Sequence, residues 1–207
     1  MTFKAAWLAT ACALMATATA HAASTDFATI GTTYPVDGAA GYSDGGVTLK
    51  YVGTPGAIWT TSQATAPSGY SWYVTGSTGY TDIRLTNGGS FTEADLLLGT
   101  GFGFTTPWLA YAFVSNGTVL ATGDWTVLPT YGEGLVAVNL SSASPITDLW
   151  LQAAGDAEPF SPGNLDALAI GQVTLSGVSA VPEPANLMLL LAGTGLVGVA
   201  AARRKRG

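Results

Sequence analysis

LAYAFVSNGTVLATGDWTVL, residues 109–128, contains the sharpest turn signal in this chain of 207 residues. Asn116-Gly117 favours the positive backbone dihedral angles of a tight two-residue hairpin. Short runs rich in Val, Thr, Tyr and Trp lie on both sides of it, which is typical of β-strands. The stretch therefore predicts strands over Leu109–Ser115, Val119–Thr122 and Trp125–Leu128.

The same pattern recurs along residues 23–180, where no helical periodicity of useful length is present. Further strands are predicted at Val47–Val52, Ala57–Thr61, Tyr70–Val74, Thr81–Leu85, Phe91–Leu98, Leu135–Leu140, Asp148–Ala153 and Leu168–Ser176. Strands at spacings of roughly 8–12 residues, separated by turns, predict an all-β, antiparallel two-sheet sandwich. A jelly-roll-like topology is expected, and other sandwich topologies are the alternatives. In such strands Trp125 and Trp150 alternate with polar or branched residues, so both are predicted to be core side chains rather than ligand platforms.

The first 22 residues form a predicted secretory signal peptide with its own helix. Lys4 gives a positive start, Ala5 to Ala20 is apolar or small, and Ala20-His21-Ala22 fits a small-x-small cleavage site. Cleavage after Ala22 leaves a body of residues 23–180 that lacks Cys and His, because Cys12 and His21 lie in the removed segment. Disulfides, thiolate or imidazole metal sites and His-based catalysis are thereby excluded from the body.

The body is strongly acidic, since two bases, Lys50 and Arg84, stand against twelve Asp and Glu residues for a net charge of −10. Nucleic acid and anionic lipid are poor partners for such a surface, so no nucleic-acid binding is expected.

The last 27 residues, VPEPANLMLLLAGTGLVGVAAARRKRG, combine three features in order. Residues 185–202 are apolar except for Asn186 and Thr194 and would span about 27 Å as a helix, close to the thickness of a bilayer core. Arg203, Arg204, Lys205 and Arg206 follow directly, which places that end in the cytoplasm and the body outside it. Residues 181–207 are therefore predicted to include a transmembrane helix.

This tail resembles the PEP-CTERM sorting signal of Gram-negative bacteria. Pro182, Glu183 and Pro184 stand at the place of its motif, before the apolar stretch and the basic end. The resemblance implies recognition by the membrane enzyme exosortase, which would remove the tail and release the protein or transfer it to the cell surface. Such proteins usually accompany exopolysaccharide and biofilm. An ordinary single-pass anchor is the alternative.

The segment ITDLWLQAAGDAEPFSPGNLDALAIGQVTLSG, residues 146–177, resembles the end of jelly-roll domains found in PEP-CTERM proteins and carbohydrate-binding modules. Within it, Asp156, Glu158, Asn164 and Asp166 gather four oxygen-bearing side chains in 11 residues. Calcium prefers six to eight such oxygen ligands, so the cluster is a candidate contribution to a structural Ca²⁺ site. A solvated acidic loop without any cofactor is the preferred interpretation.

The body contains candidate residues for two further functions, glycan binding and glycoside hydrolysis. Tyr70, Trp72 and Tyr80 form the densest aromatic patch and are a candidate platform for a glycan. A glycosidase needs only two carboxylates, for which Glu133 and the pair Glu93 and Asp95 are available. The two members of that pair would share one face of a strand.

We expect a non-enzymatic protein that is exported, held briefly in the inner membrane with its body outside, and then sorted by exosortase. At the cell surface or in the matrix it would act structurally or adhesively with exopolysaccharide. A carbohydrate-binding module with a defined ligand is the alternative, and a glycosidase ranks third.

Overall fold

A computed structural model describes residues 22–29, 41–54, 58–62, 66–74, 77–100, 107–129, 132–155 and 160–179. The signal peptide, the motif Pro182-Glu183-Pro184, the apolar stretch 185–202 and the basic end 203–206 lie outside these residues. No helix long and apolar enough to cross a membrane occurs within the described part of the chain.

The described residues form two antiparallel β-sheets, as predicted. One sheet has the order β10 (Val136–Ile146), β7 (Phe91–Thr100), β13 (Leu168–Ser176), β5 (Tyr70–Val74) and β4 (Ile58–Ser62), with β1 (Ala23–Thr25) also paired to β13. The other has the order β2 (Tyr42–Asp44), β3 (Val47–Thr54), β6 (Ser77–Leu85), β11 (Asp148–Gly155), β8 (Pro107–Ser115) and β9 (Thr118–Val127), with β12 (Leu165–Asp166) also paired to β6. Because the chain passes repeatedly between the sheets, the prediction of an all-β, jelly-roll-like sandwich is confirmed.

The core lies between the two sheets and is filled by alternate residues of the strands. Its largest fully buried side chains are Trp72, Phe27, Phe91, Leu49, Ile83, Leu98, Leu109, Leu128, Ile146, Leu149 and Leu151. Trp72 on β5 joins the two layers, because its indole Nε1 donates a hydrogen bond of 3.1 Å to Oγ1 of Thr81 on β6. Each fully buried side chain of this size contributes about 1.5–3 kcal/mol to stability.

The predicted turns and strands agree with the structure at most positions. Asn116 and Gly117 take φ values of 50° and 78° between β8 and β9, as the hairpin requires. Two strands predicted over Val119–Thr122 and Trp125–Leu128 are one strand, β9, since Gly123 and Asp124 pair within it with Tyr111 and Ala110. The short strands β1, β2 and β12 carry too few residues for any periodicity and were not predicted.

The two ends of the sandwich differ, and we name them by their contents. The terminal pole contains the start of the body at Ala23, the turns Gly45-Gly46, Thr86–Ser90, Asn116-Gly117 and Thr147, and the end of the described body, Gly177–Ser179. The loop pole is the opposite end, where β3, β7, β9 and β11 finish and where residues 101–106, 128–135 and 156–164 connect the strands.

Candidate functional site

The outer face of the seven-stranded sheet, pointing away from the core, carries the most varied chemistry of the described residues. Along β6 and β11 the core side receives Thr81, Ile83, Leu149 and Leu151. The opposite side of these strands therefore presents, by alternation, the residues Tyr80, Asp82, Arg84, Asp148, Trp150 and Gln152.

An aromatic cluster of Tyr80, Trp150 and Phe160 lies on this face. The ring centroids of Tyr80 and Trp150 are 4.7 Å apart, those of Tyr80 and Phe160 are 5.4 Å apart, and those of Trp150 and Phe160 are 6.0 Å apart. These separations are typical of favourable aromatic pairs. Tyr80 is buried by its neighbours, whereas Trp150 and Phe160 are half-buried and keep part of their rings in contact with solvent.

Gln152 holds Phe160 in this position by fixing the segment that follows it. Its Nε2 lies 2.7, 2.9 and 3.1 Å from the carbonyl oxygens of Gly79, Ser161 and Asn164, to which it donates. The amide of Ser161 donates in return to Gln152 Oε1. Because Gln152 is fully buried, these bonds are shielded from water and tie residues 161–164 to the sheet.

Asp166 fixes the same segment at its far end. Its Oδ1 accepts hydrogen bonds from the amides of Ala153 at 2.9 Å and Leu168 at 3.0 Å. Its Oδ2 is buried without a hydrogen-bond partner among the described residues. Complete burial raises the pKa of this carboxyl to about 7, although the backbone N–H groups oppose the shift.

A charged cluster of Asp82, Arg84 and Asp148 adjoins the aromatic cluster. Arg84 Nη2 donates to Asp82 Oδ2 at 2.5 Å, and Arg84 Nε lies 3.9 Å from Asp148 Oδ1. Burial raises the pKa of Asp82 to about 6; Arg84 lowers it and Asp148 raises it further. One guanidinium therefore lies between two carboxyl groups.

Both bases of the acidic body are placed on this one face. Lys50 on β3 lies opposite Asp82 in the register, and Arg84 lies opposite Thr48. With the aromatic cluster beside them, these residues offer hydrogen-bond donors, acceptors and apolar ring faces within one patch. Such a combination suits a hydroxyl-rich ligand, since aromatic rings contact apolar sugar faces and carboxylates accept hydrogen bonds from hydroxyl groups.

The predicted glycan platform of Tyr70, Trp72 and Tyr80 is wrong as an exposed surface. Trp72 has no exposed surface and Tyr80 has 8%, while Tyr70 is partly buried against the core. The physical reason is alternation, since the face of β5 that carries Trp72 points between the sheets. Trp150 was likewise predicted to be a core residue, but its neighbours Leu149 and Leu151 fill the core and Trp150 points outward.

The calcium hypothesis concerned Asp156, Glu158, Asn164 and Asp166. Asp156 and Glu158 lie outside the described residues, and Asn164 lies on the turn before β12. Asp166 is buried, and its Oδ1 accepts hydrogen bonds from the amides of Ala153 and Leu168. Among the residues that the structure describes, no group of three or more acidic, Cys or His side chains is arranged to hold a metal ion. The calcium site stays a prediction.

The carboxylate pair Glu93 and Asp95 shares one face of β7, as predicted. Both accept from Asn139 Nδ2, at 2.8 and 2.7 Å, on the outer face of the six-stranded sheet. The hydrogen bonds from Asn139 and Ser176 lower the pKa of Glu93. The third candidate carboxylate, Glu133, is exposed on the connection between β9 and β10.

Sequence reasoning missed the aromatic and charged clusters for an identifiable reason. Tyr80, Asp82 and Arg84 occupy alternate positions of one strand, so the pattern STGYTDIRL over residues 77–85 contained the signal. Trp150 and Phe160 come together only through the contacts of Gln152, which no local pattern encodes.

Comparison with known proteins identifies the tail. Residues 180–206 match the family described as "PEP-CTERM protein-sorting motif". A search of curated proteins found no significant match.

Solved structures resemble the body only weakly. They include the glycoside hydrolase domain of Endo-D from Streptococcus pneumoniae R6 (16% identity, 62% of this chain, 21% of that chain, TM-score 0.38). The family 32 carbohydrate-binding module of C. perfringens NanJ, solved with galactose, has 16% identity over 62% of this chain and 92% of its own, with a TM-score of 0.36. CsCBM6-3 from Clostridium stercorarium, solved with cellobiose, has 11% identity over 62% of this chain and 81% of its own, with a TM-score of 0.31.

All three TM-scores are below 0.4, and the chain spans about a fifth of the length of the Endo-D structure. The match over residues 180–206 is different in kind, because it contains the Pro-Glu-Pro motif, the apolar stretch and the basic residues in order. The chain therefore carries a PEP-CTERM sorting signal, which indicates an exported protein that exosortase processes.

Proposed function

We propose that this protein acts at the cell surface or in the extracellular matrix, structurally or adhesively, together with exopolysaccharide. The observation that carries the proposal is the sorting signal attached to an acidic sandwich domain. Exosortase, the secretion machinery and, before processing, the membrane are its partners in sorting, and extracellular polysaccharide is its partner afterwards. No catalytic role is proposed for Glu93, Asp95 or Glu133.

Intact-mass spectrometry of the protein from native cells and their medium tests the sorting step. We expect a product that begins at Ala23 and ends close to Pro182-Glu183-Pro184, recovered outside the membrane fraction. A product that keeps residues 185–206 and stays with membranes would contradict the proposal and favour a permanent anchor.

A glycan-binding module is the second candidate, favoured by the aromatic cluster beside Arg84 and Asp148. In this reading the half-buried rings of Trp150 and Phe160 contact a sugar, and the charged cluster hydrogen-bonds its hydroxyl groups. The site differs from the platform expected from the sequence, although Tyr80 belongs to both.

Co-sedimentation with exopolysaccharide from the same cells distinguishes the two candidates. A glycan-binding module predicts that Trp150→Ala and Phe160→Ala weaken binding at least about tenfold, the loss expected from one good contact. Tyr73→Ala is the matched control, because Tyr73 is a half-buried aromatic residue on the outer face of the other sheet. Equal binding by all three variants would exclude the aromatic cluster as the site and leave the structural role.

A further inference from the structure

The two ends of the body lie side by side at the terminal pole. β1 begins at Ala23, which pairs with Leu175 near the end of β13. The described body ends at Ser179, whose amide donates to the carbonyl of Ser90 at 2.8 Å. The segment removed by signal peptidase and the segment read by exosortase are therefore both attached at this one pole.

The connection from the pole to the sorting signal is short. Ser179 is fixed by its bridge to Ser90, and only Ala180 and Val181 separate it from Pro182. Because an extended residue spans at most about 3.6 Å, Pro182 lies within about 11 Å of Ser179, and the apolar stretch begins within about 22 Å. This limit holds whatever conformation the connecting residues take.

The described turns of the terminal pole carry no charged side chain. They consist of Gly45, Gly46, Thr86, Asn87, Gly88, Gly89, Ser90, Asn116, Gly117, Thr147, Gly177, Val178 and Ser179. The nearest acids are engaged by neighbours, since Thr25 donates to Asp44 and Thr147 donates to Asp148. An anionic headgroup surface would repel most faces of a body with a net charge of −10, but these turns offer it no carboxylate.

A hollow of about 380 Å³ lies between the two chain ends at this pole. Its lining carries no charged side chain and consists of Ala23, Gly45, Gly46, Leu85, Thr86, Asn87 and Val178, together with Ala22, which the predicted signal-peptide cleavage removes. The apolar side chains of Leu85 and Val178 line this hollow beside the backbone of Gly45 and Gly46. The hollow extends the uncharged surface across the space between the two attachment points.

From these observations we propose that the terminal pole lies against the membrane lipid surface while the tail holds the chain, with the loop pole directed away from it. The proposal rests on the sorting function. It adds an orientation: the face toward the lipid is the one with uncharged turns, and the aromatic cluster and the segment held by Gln152 stay accessible from outside.

Site-specific quenching in vesicles tests this orientation. The exported chain, residues 23–207, has no Cys, so single labels can be placed by Asn87→Cys or Thr118→Cys at the terminal pole and Gly163→Cys at the loop pole. Each labelled chain is incorporated into phosphatidylethanolamine–phosphatidylglycerol vesicles that contain spin-labelled lipid headgroups. We expect quenching at positions 87 and 118 to be several-fold stronger than at position 163.

Equal quenching at the three positions, or stronger quenching at 163, would overturn the proposal. Vesicle flotation separates this failure from a failure of the sorting function, because a chain that does not float has no membrane-bound tail. A ten-residue Gly-Ser insertion between Ser179 and Ala180 removes the distance limit and is expected to reduce the difference between the poles. An unchanged difference in that variant would show that the short connection does not set the orientation, and would also overturn the proposal.

Discussion

At the terminal pole the strands are joined by tight turns such as Gly45-Gly46 and Asn116-Gly117, whereas longer connections, residues 128–135 and 156–164, join strands at the loop pole. Backbone geometry fixes the first set, because residues with positive φ form these turns, and Gly45 also allows the close approach of β1. Two buried polar side chains, Gln152 and Asp166, fix residues 161–164 and the start of β12 in the second set. The comparison teaches that one sandwich can be ordered by backbone at one end and by side-chain hydrogen bonds at the other.

The largest expected effect is at the loop pole. Gln152→Ala removes two N–H groups, shared among the carbonyls of Gly79, Ser161 and Asn164, and the Oε1 that accepts from the Ser161 amide. We therefore expect the free energy of unfolding to fall by about 3 kcal/mol, near 1 kcal/mol for each of these three groups. Urea denaturation measures this change, and the loss of Phe160 from Trp150 should alter tryptophan fluorescence. Gln172→Ala, at a half-buried position on β13, is the control and should change stability by less than about 0.5 kcal/mol. Similar losses in both variants would refute the role given to Gln152.

The next effect is at the terminal pole. A Cβ atom on Gly45, which has a φ of 56°, would lie 1.7 Å from the carbonyl oxygen of Ser24. Gly45→Ala must therefore displace β1, and we expect a loss of about 2–3 kcal/mol in urea denaturation.

Gly88→Ala is the matched control for this variant. Gly88 also has a positive φ, of 74°, but a Cβ atom there would meet nothing within 4 Å. Only the left-handed backbone conformation is then penalised, by about 1 kcal/mol. If Gly88→Ala were as destabilising as Gly45→Ala, the close approach of β1 would not be what Gly45 provides.

A pH dependence is expected from the loop pole. Because burial raises the pKa of Asp166 to about 7, the folded protein binds more protons than the unfolded chain between pH 4 and pH 7. Stability should therefore fall as pH rises through this range. Thermal unfolding at pH 4.5, 6 and 7.5 measures the slope.

Asp166→Asn keeps the acceptor for Ala153 and Leu168 but cannot ionise, so it should flatten the slope over the whole range from about pH 4 to pH 7. Asp82→Asn should flatten mainly the lower part, because the pKa of Asp82 is raised to about 6. A slope that is identical in wild type and Asp166→Asn would show that Asp166 does not carry the dependence.

The calcium prediction is tested in the same experiment. A cation bound at Asp166 would hold the carboxyl ionised and restore stability at pH 7.5 when calcium is added and chelator is absent. The solvated-loop interpretation predicts no change on adding calcium. Stabilisation in wild type but not in Asp166→Asn would favour the metal site.

The smallest effect compares two open glycines. Gly163 at the loop pole has no positive φ and no atom within 4 Å of an added Cβ, so Gly163→Ala should change stability by less than about 0.5 kcal/mol. Gly117→Ala, in the tight turn of the terminal pole with a φ of 78°, should cost about 1 kcal/mol. Chemical denaturation of the two variants side by side resolves this difference, and a larger loss at Gly163 would contradict it.

The fold was accessible from the sequence where local chemistry determines it. Asn116-Gly117 specified a hairpin and β5 was predicted with its observed bounds, because turn dihedral angles and β-branched runs act over a few residues. β1 was not predictable in this way, since three residues gain their strand conformation only by pairing with β13, some 150 positions away.

The candidate site was less accessible, because alternation does not say which face is buried. Trp72 and Trp150 both stand in alternating runs, yet one joins the two sheets and the other lies outside. Gln152 had no sequence signal at all, as a fully buried amide looks like any solvent-facing Gln until its partners are known. The sorting signal is the opposite case, since its motif, apolar stretch and basic end follow one another directly in the sequence and can be recognised without the fold.

The placement of β13 has a consequence for the order of events during export. The last strand of the chain is central in its sheet, where it pairs with β7 on one side and with β5 and β1 on the other. A chain that crosses the membrane with its N-terminus first cannot complete this sheet until residues 168–176 have emerged, and pairings so distant in sequence form late. The apolar stretch follows β13 by only eight residues. In the sorting route proposed above, translocation arrest and closure of the six-stranded sheet therefore nearly coincide, so that this sheet is completed at the membrane.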